Sequence, residues 1–214
     1  MASMDRKSPQ MLAQMLLHLG RSAHGDVKVA GLTPAQWTVL RYFSSANRFS
    51  RTASAFASFH GTTRGTASQT IKSLVAKGDL ERIRSKRDGR SARLDLTTKG
   101  WAGLIEDPFR TLIDAIDRLP TGLAGTFGSI LGQLEFDVSR ARSVATFGTC
   151  EQCCHLEHYF AAGEESCAYY CRYSAEALAA EELDMLCVDF EPARTRRLGA
   201  TRSDRAAAIS EQET

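Results

Sequence analysis

The chain has 214 residues, of which 43% are hydrophobic and 24% are charged, and its formal net charge at pH 7 is +2. These values are typical of a soluble globular protein, and a charge this small does not by itself indicate a nucleic-acid partner. No apolar run approaches the roughly 20 residues of a membrane-spanning helix, and no small-residue cleavage site follows the apolar stretch 11–20. We therefore expect no membrane partner and a cytoplasmic location.

The first third of the chain predicts three helices. Residues 10–23 carry a helical stripe of leucine and methionine, which either packs internally or meets a partner helix. Thr33 is a typical N-cap, Pro34 suits the first helical position, and Gln36 suits the reciprocal capping-box contact, so a second helix begins here. A third helix is predicted over residues 51–60, with Gly61 as its C-terminal cap.

Residues 62–78 form the most informative segment. One face of the predicted helix is apolar, with residues at helical spacing: Ala67, Ile71, Leu74 and Val75. The opposite face carries small, hydroxyl, amide or cationic groups without any acidic residue: Gly65, Thr66, Gln69, Lys72 and Ser73. Two short helices joined by a tight glycine-containing turn are typical of a helix-turn-helix. We interpret this segment as a DNA recognition helix.

A β-hairpin is predicted directly after the recognition helix. Residues 79–96 alternate in a strand-like way around Asp88 and Gly89, and an Asp-Gly pair between such segments is a strong hairpin signal. The hairpin is dense in arginine, which by itself could be an ordinary solvated loop. Because it follows a recognition-type helix, we interpret it as a wing that contacts phosphates or a minor groove.

The next predicted segments are long and amphipathic. Apolar residues at helical spacing run from Trp101 to Ile116, Pro120 ends or bends that helix, and a further helix carries an apolar stripe from Leu123 to Val138. Together with residues 10–23, these helices present more apolar surface than a small winged core can cover. A homodimer would bury the surplus. The predicted fold is mainly α with a small β-hairpin wing, a winged helix-turn-helix with long dimerisation helices.

Five landmarks in this order resemble the MarR family, the multiple-antibiotic-resistance type of winged-helix regulators. They are Leu32-Thr33-x-x-Gln36-Trp37-x-x-Leu40, Leu74-x-x-x-Gly78, Glu81-Arg82, Asp88-x-Arg90 and Leu96-Thr97-x-x-Gly100. The resemblance covers residues 8–143. It departs from the common pattern at Gly89 and at Gln69, where arginine is usual. The resemblance implies a homodimer whose recognition helices enter successive major grooves of a pseudo-palindromic double-stranded DNA operator, and it is compatible with a small-molecule effector.

Individual DNA contacts can be predicted from residue chemistry. Thr66 and Gln69 lie near the helix start, where base edges are reached; glutamine can hold adenine bidentately, and threonine can approach a thymine methyl. The other predicted contacts position the backbone or hold phosphates, and they come from the turn, the helix and the wing: Thr63, Arg64, Gly65, Ser68, Lys72, Arg87, Asp88 and Arg90. Asp88 is expected to orient Arg90 through a charge-assisted pair.

All six cysteines lie between Cys150 and Cys187. Cys150 and Cys153 form a Cys-x-x-Cys half-site, and further thiols follow within a few dozen residues, which favours a metal centre over a simple redox pair. Cys150, Cys153 and Cys187 belong to every sensible ligand set. The thiol spacing leaves zinc and an iron–sulfur cluster undecided, with a thiol switch as a third alternative.

A weaker resemblance, to family members with a cysteine-containing tail, implies Cys171 rather than Cys167 as the fourth ligand. The matching pattern is Cys150-x-x-Cys153-x-His155, Cys171 and Cys187-x-x-x-Glu191-Pro192. Cys154 and Cys167 are then spare, and His155 is interpreted as a histidine near the site rather than a ligand. We also predict a helix over residues 174–186, because that segment is rich in alanine, glutamate and leucine.

The predicted organisation is a winged-helix DNA-binding and dimerisation domain over residues 1–145, a cysteine-rich metal-binding module over 146–192 and a disordered tail over 193–214. No catalytic triad, phosphate loop or carboxylate pair stands out, so we do not predict an enzyme. The leading hypothesis is a dimeric, sequence-specific DNA-binding transcriptional regulator, controlled by a cysteine-bound metal or iron–sulfur cluster. The alternatives are a metal-cluster redox or electron-transfer protein on a winged scaffold, and a protein-interaction adaptor.

Overall fold

The structure is a computed structural model, and it describes residues 7–24, 31–84, 92–160 and 167–193. Seven α-helices lie in these ranges: α1 (Pro9–His24), α2 (Pro34–Ser45), α3 (Ala53–Phe59), α4 (Arg64–Lys77), α5 (Thr98–Gly103), α6 (Arg110–Asp117) and α7 (Thr121–Arg142). Five strands form two antiparallel sheets: β1 (Leu80–Arg84) with β2 (Ala92–Leu96), and β3 (Leu156–Phe160), β4 (Cys167–Cys171) and β5 (Glu176–Leu178). Short 3₁₀ helices occupy Leu104–Glu106, Cys150–Gln152 and Ala180–Glu182.

The predicted start of α2 is confirmed in detail. The Thr33 hydroxyl accepts from the Gln36 backbone N–H at 3.3 Å, and the Gln36 side-chain carbonyl accepts from the Thr33 backbone N–H at 3.0 Å. This reciprocal pair satisfies two backbone donors that a helix start leaves open. Trp37, Leu40 and Phe43 then bury their side chains at the centre of the winged core.

The helix-turn-helix is α3, a tight turn and α4. The Thr63 side chain caps α4 by accepting from the Thr66 backbone N–H at 3.1 Å. The predicted inner face packs into the core through Ala67, Ile71 and Leu74. Gly78 ends the helix in the left-handed conformation, with φ of 76°, and its N–H donates to the Leu74 and Val75 carbonyls.

The predicted hairpin is also confirmed: β1 and β2 pair from Leu80 opposite Leu96 to Arg84 opposite Ala92. The chain leaves β2 through Thr97, which caps α5, and Gly100 lies directly against the chain before β1. A Cβ built on Gly100 would be 2.2 Å from the Asp79 carbonyl oxygen. This position therefore has no room for any side chain, which gives a physical reason for glycine at the end of the Leu96-Thr97-x-x-Gly100 landmark.

The amphipathic helices leave their apolar faces open in the single chain. On the apolar face of α1 the exposed residues include Met11, Leu12, Met15, Leu16 and Leu19, and on α7 they include Leu123, Ile130, Leu134 and Val138. The helix predicted across Trp101 to Ile116 is interrupted at Asp107 and Pro108, because proline cannot continue it. No helix in the described ranges is both long enough and apolar enough to cross a membrane.

The cysteine segment folds as a three-stranded meander with two short 3₁₀ turns. The helix predicted over residues 174–186 is wrong. Glu176–Leu178 forms β5 instead and pairs with β4, with Tyr169 opposite Leu178, and only Ala180–Glu182 is helical. Alanine and glutamate favour a helix weakly, and strand pairing with β4 outweighs that preference. The disordered tail was predicted over residues 193–214, and of these all but Ala193 lie outside the described residues.

Candidate DNA-contacting helix and cysteine cavity

The position of α4 is fixed by one buried side chain on α2. The Gln36 amide donates to the Ser73 hydroxyl at 2.9 Å, while its carbonyl oxygen accepts from the Lys77 ammonium at 3.0 Å. Lys77 also donates to the Gly31 carbonyl at 2.8 Å. The same glutamine therefore closes the start of α2 and holds the C-terminal half of α4. Ser73, which we predicted on the free polar face, instead points toward α2.

The rest of the predicted polar face is open to solvent. Gly65, Thr66, Gln69 and Lys72 are exposed, as are Thr63 and Arg64, and Ser68 is half-buried. The Thr63 and Thr66 hydroxyl oxygens lie 2.9 Å apart. This contact orients the Thr66 side chain at the first turn of α4. The exposed stretch is long enough to lie along a groove and carries no acidic residue.

The structure describes the base of the wing, β1 and β2, but not residues 85–91 between them. The predicted wing contacts lie among those residues: Arg87, Asp88 and Arg90. At the base, Asp95 pairs with Arg51 at 2.9 Å and with Arg93 at 2.6 Å. Burial by itself would raise the pKa of the Asp95 carboxyl, but hydrogen bonds from Arg93 and Arg51 outweigh it and hold that pKa below its usual value.

The structure brings the four predicted metal ligands around one cavity. Cys150, Cys153, Cys171 and Cys187 all line a space of about 230 Å³. Cys150 and Cys153 sit at the two ends of a single 3₁₀ turn, in which the Cys153 N–H donates to the Cys150 carbonyl at 3.1 Å. Cys171 ends β4, and Cys187 follows from the far end of the module. The side chain of Cys167 is not among those that the structure describes.

The cavity holds two buried thiols in mutual contact. Cys150 and Cys187 hydrogen-bond each other, which together with burial raises the pKa of Cys150. The same contact lowers the pKa of Cys187, against the effect of its burial. The Asn47 amide donates to the Cys150 sulfur at 3.3 Å. Other lining residues are Phe49, His155 and Asp189.

A second group of metal-ligating side chains lies beside the cavity. Within the described ranges, three metal-ligating atoms lie within 4.8 Å of one another in one place, formed by Cys154, His155 and Glu191. Nε2 of His155 is buried without a hydrogen bond to any described residue, and its nearest carboxylate oxygen, on Glu191, is 3.6 Å away. Cys154 points toward the same glutamate, at 3.7 Å, and does not line the cavity.

Sequence reasoning missed two residues that hold these sites. Gln36 was recognised as part of a helix cap, but its hydrogen bond to Ser73 joins residues that are 37 positions apart in the sequence. Asn47, fully buried, reaches Cys150 across 103 residues. A buried asparagine in a short loop has no local periodicity, so its only sequence signal is a polar residue between apolar helices.

A second, more polar hollow of about 380 Å³ lies beside the start of α4. Its walls come from α3, the turn before α4 and the residues after α7, including Ser58, Arg64 and Ser143. A small-molecule effector stays a prediction.

A comparison with protein-family models finds a match, and it lies in the winged region. Residues 30–91 match the model of the MarR family. Over these residues the chain is similar to the MarR family. The match includes α2, α3, α4 and the first strand of the hairpin, β1. No curated protein matches the chain.

Several solved structures are similar to the chain. The PcaV transcriptional regulator from Streptomyces coelicolor, solved with its natural ligand, is 20% identical, covers 63% of this chain and 96% of its own, and gives a TM-score of 0.45. FabT of Streptococcus pneumoniae, solved with DNA, is 20% identical over 62% of this chain and 93% of its own, with a TM-score of 0.45. MarR from E. coli is 19% identical, with 61% and 98% coverage and a TM-score of 0.45.

Proposed function

We propose that this protein is a MarR-family, sequence-specific DNA-binding transcriptional regulator that acts as a homodimer. The observation that carries the proposal is the exposed, acid-free face of α4, which Gln36 holds in place from the opposite side. Gln69 and Thr66 on this face would contact base edges, and Arg64 and Lys72 would hold phosphates. The arginine-rich hairpin predicted after α4 would add further phosphate contacts.

The DNA proposal predicts two separable effects. A probe would first be selected from a pool of random-sequence duplexes. Gln69→Ala should then cost about 1–3 kcal/mol in binding and relax the base preference, because a bidentate contact is lost. Lys72→Ala should weaken binding evenly across sequences and reduce the salt slope by about 1. Wild-type affinity and selectivity in both variants would rule out this face.

The dimer proposal is supported by the open apolar faces of α1 and α7. Leu16→Glu should convert a dimer into a monomer in light scattering after size exclusion, because it puts a charge into the apolar stripe. Leu17→Glu is a matched control, since it makes the same change on the other side of the same helix. Equal effects of the two substitutions, or a monomeric wild type, would contradict the proposal.

We further propose that the cavity cysteines bind a metal centre. Four thiols around one cavity fit such a group, and Cys150, Cys153, Cys171 and Cys187 would hold it. Tetrahedral sulfur sites suit both zinc and an iron–sulfur cluster, and we propose the cluster because its loss or oxidation would change the dimer and hence the DNA affinity. Such a cluster would supply redox sensitivity when bound.

The metal proposal is tested by anaerobic purification with elemental analysis and an absorption spectrum. Iron with visible absorption bands would support the cluster, and one zinc ion without colour would favour the structural alternative. Neither metal, with all six thiols free, would overturn the site. A chain with reversible redox behaviour and no DNA binding would instead favour the electron-transfer alternative.

A further inference from the structure

The loop between α2 and α3, residues 46–51, is buried to an extent that loops rarely are. Ala46, Asn47 and Ser50 have no exposed surface, whereas connecting segments usually run over the surface, where water satisfies their polar groups. The cysteine module covers this loop on one side, and the base of the wing contacts its far end. The loop therefore joins the two candidate functional regions.

On the module side, the loop holds the chain on both sides of Cys187. The Asn47 backbone N–H donates to the Leu186 carbonyl at 2.8 Å, and the Val188 N–H donates to the Ser50 hydroxyl at 2.9 Å. The Asn47 side chain adds its hydrogen bond to the Cys150 sulfur. A movement of either sulfur is therefore opposed by hydrogen bonds that end on this loop.

On the wing side, Arg51 connects the loop to β2 through two bonds. Its backbone carbonyl accepts from the Leu94 N–H at 2.8 Å, and its guanidinium pairs with Asp95 at 2.9 Å. The same guanidinium donates to the Ala46 carbonyl at 2.9 Å. Arg51 thus ties β2 to the first residue of the loop as well as to the last.

The loop is also braced internally, so that its two ends move together. The Asn47 side-chain carbonyl accepts from the Ser50 N–H at 2.9 Å, and the Tyr42 hydroxyl donates to the Ser50 carbonyl at 2.9 Å. One path from the Cys150 sulfur to the strand that carries the wing runs through Asn47, Ser50 and Arg51. The contacts of Asn47 and Ser50 with Cys150, Tyr42 and each other are buried, and packed interiors transmit displacement.

We propose that residues 46–51 couple occupation of the cysteine cavity to the position of β2, and so to DNA affinity. This inference rests on the proposed cluster site and adds the route by which its state reaches the wing. Contact alone is not coupling, so the test has to measure a response at the wing. In mechanistic terms, Asn47 is a positioning residue at the cavity and Arg51 is the residue that passes its displacement to β2.

The experiment compares hydrogen exchange of the β1 and β2 amides in the full chain, either stripped of metal or reconstituted anaerobically with Fe²⁺ and sulfide. Reconstitution should change wild-type exchange about fivefold or more, within the range of typical couplings between sites. In Arg51→Met the change should fall below about twofold, while the bound iron equals that of wild type. Arg93→Met is the matched control: it removes the other arginine on Asp95 but no described contact with the loop, and it should keep the wild-type response.

DNA titration of the same samples gives a second readout, the ratio of Kd between loaded and stripped protein. This ratio should approach one in Arg51→Met and stay at the wild-type value in Arg93→Met, even if both absolute affinities fall. If Arg51→Met does not fold, Asp95→Asn replaces it, because it cuts the ion pair with β2 and leaves the Arg51 contact with Ala46.

The outcomes separate this inference from the functions it rests on. Iron uptake with unchanged wing exchange in wild type, or a full response in Arg51→Met, overturns the coupling alone. A wing response without DNA binding supports the coupling and overturns the DNA-binding proposal. Failure to take up either iron or zinc overturns the cluster site and the coupling with it.

Discussion

The winged region and the cysteine module are stabilised in different ways. The winged core contains large apolar side chains with less than 2% exposure, among them Trp37, Phe43, Leu40 and Ile71. The buried cluster of the module has four members, and two of them are cysteines: Cys150, Leu178, Cys187 and Phe190. Burial of this apolar surface can stabilise the fold of the winged region. The module is too small for that, which is the situation in which proteins recruit a metal or disulfides.

The largest expected effect is loss of the module when its thiols are changed. Cys150→Ser should abolish metal binding and leave residues 146–192 sensitive to limited proteolysis, while the winged core still unfolds cooperatively. Structural metals contribute apparent free energies of about 10–16 kcal/mol in small zinc domains, more than this cluster of side chains can replace. Cys154→Ser is the control, since Cys154 does not line the cavity. Equal metal loss in both variants would contradict the proposed ligand set.

The next effect lies in the winged region, at Gly100. Gly100→Ala should lower the free energy of unfolding by about 3 kcal/mol, because the new methyl group meets a backbone carbonyl that no side-chain rotation can move. Gly103→Ala on the same helix has nothing within 4 Å of its new Cβ and should be neutral or stabilising by about 0.5–1 kcal/mol. Urea denaturation followed by tryptophan fluorescence measures both, and a Gly100→Ala variant as stable as wild type would rule out this close approach.

The cysteine module also contains a glycine that is closely approached by its surroundings. It is Gly148, where a built Cβ would lie 2.3 Å from the Phe190 ring. Gly148→Ala should destabilise the module by about 1–3 kcal/mol through overpacking, less than Gly100→Ala, because an aromatic ring can shift. Adding Phe190→Leu should restore part of the loss. The measurement is hydrogen exchange in β3 to β5, and the winged core should be unaffected.

The smallest expected effect is on the pH dependence of stability, through the Asp95 carboxylate. The pKa of Asp95 is lowered in the folded protein, so its ion pairs contribute stability above the unfolded-state value of about 4, and this contribution is lost as the pH falls toward the folded-state value. Asp95→Asn should cost about 0.5–1 kcal/mol at pH 7 and remove that part of the acid dependence. Thermal unfolding between pH 3 and pH 7 compares the two proteins. Parallel pH profiles would show that the pair contributes nothing.

The sequence predicted the winged region well because its signals are local. Periodicity gave the buried face of α4, the Thr33 and Gln36 spacing gave the capping box, and Asp-Gly between alternating residues gave the hairpin. Ser73 was misplaced because its partner lies on another helix. In the module, residues 174–186 have a helical composition, yet their strand pairing depends on β4. The cysteine spacing indicated a common site, but not the width of the cavity or its connection to Asn47.

Cys187 also has a consequence for the order of events during synthesis. The cavity takes Cys150 and Cys153 from one turn, but its wall is incomplete until the ribosome has made Cys187 and the residues that pair with the α2–α3 loop. Every element from α1 to α7 is made before then. A nascent chain can therefore assemble its α4 surface before the cavity exists.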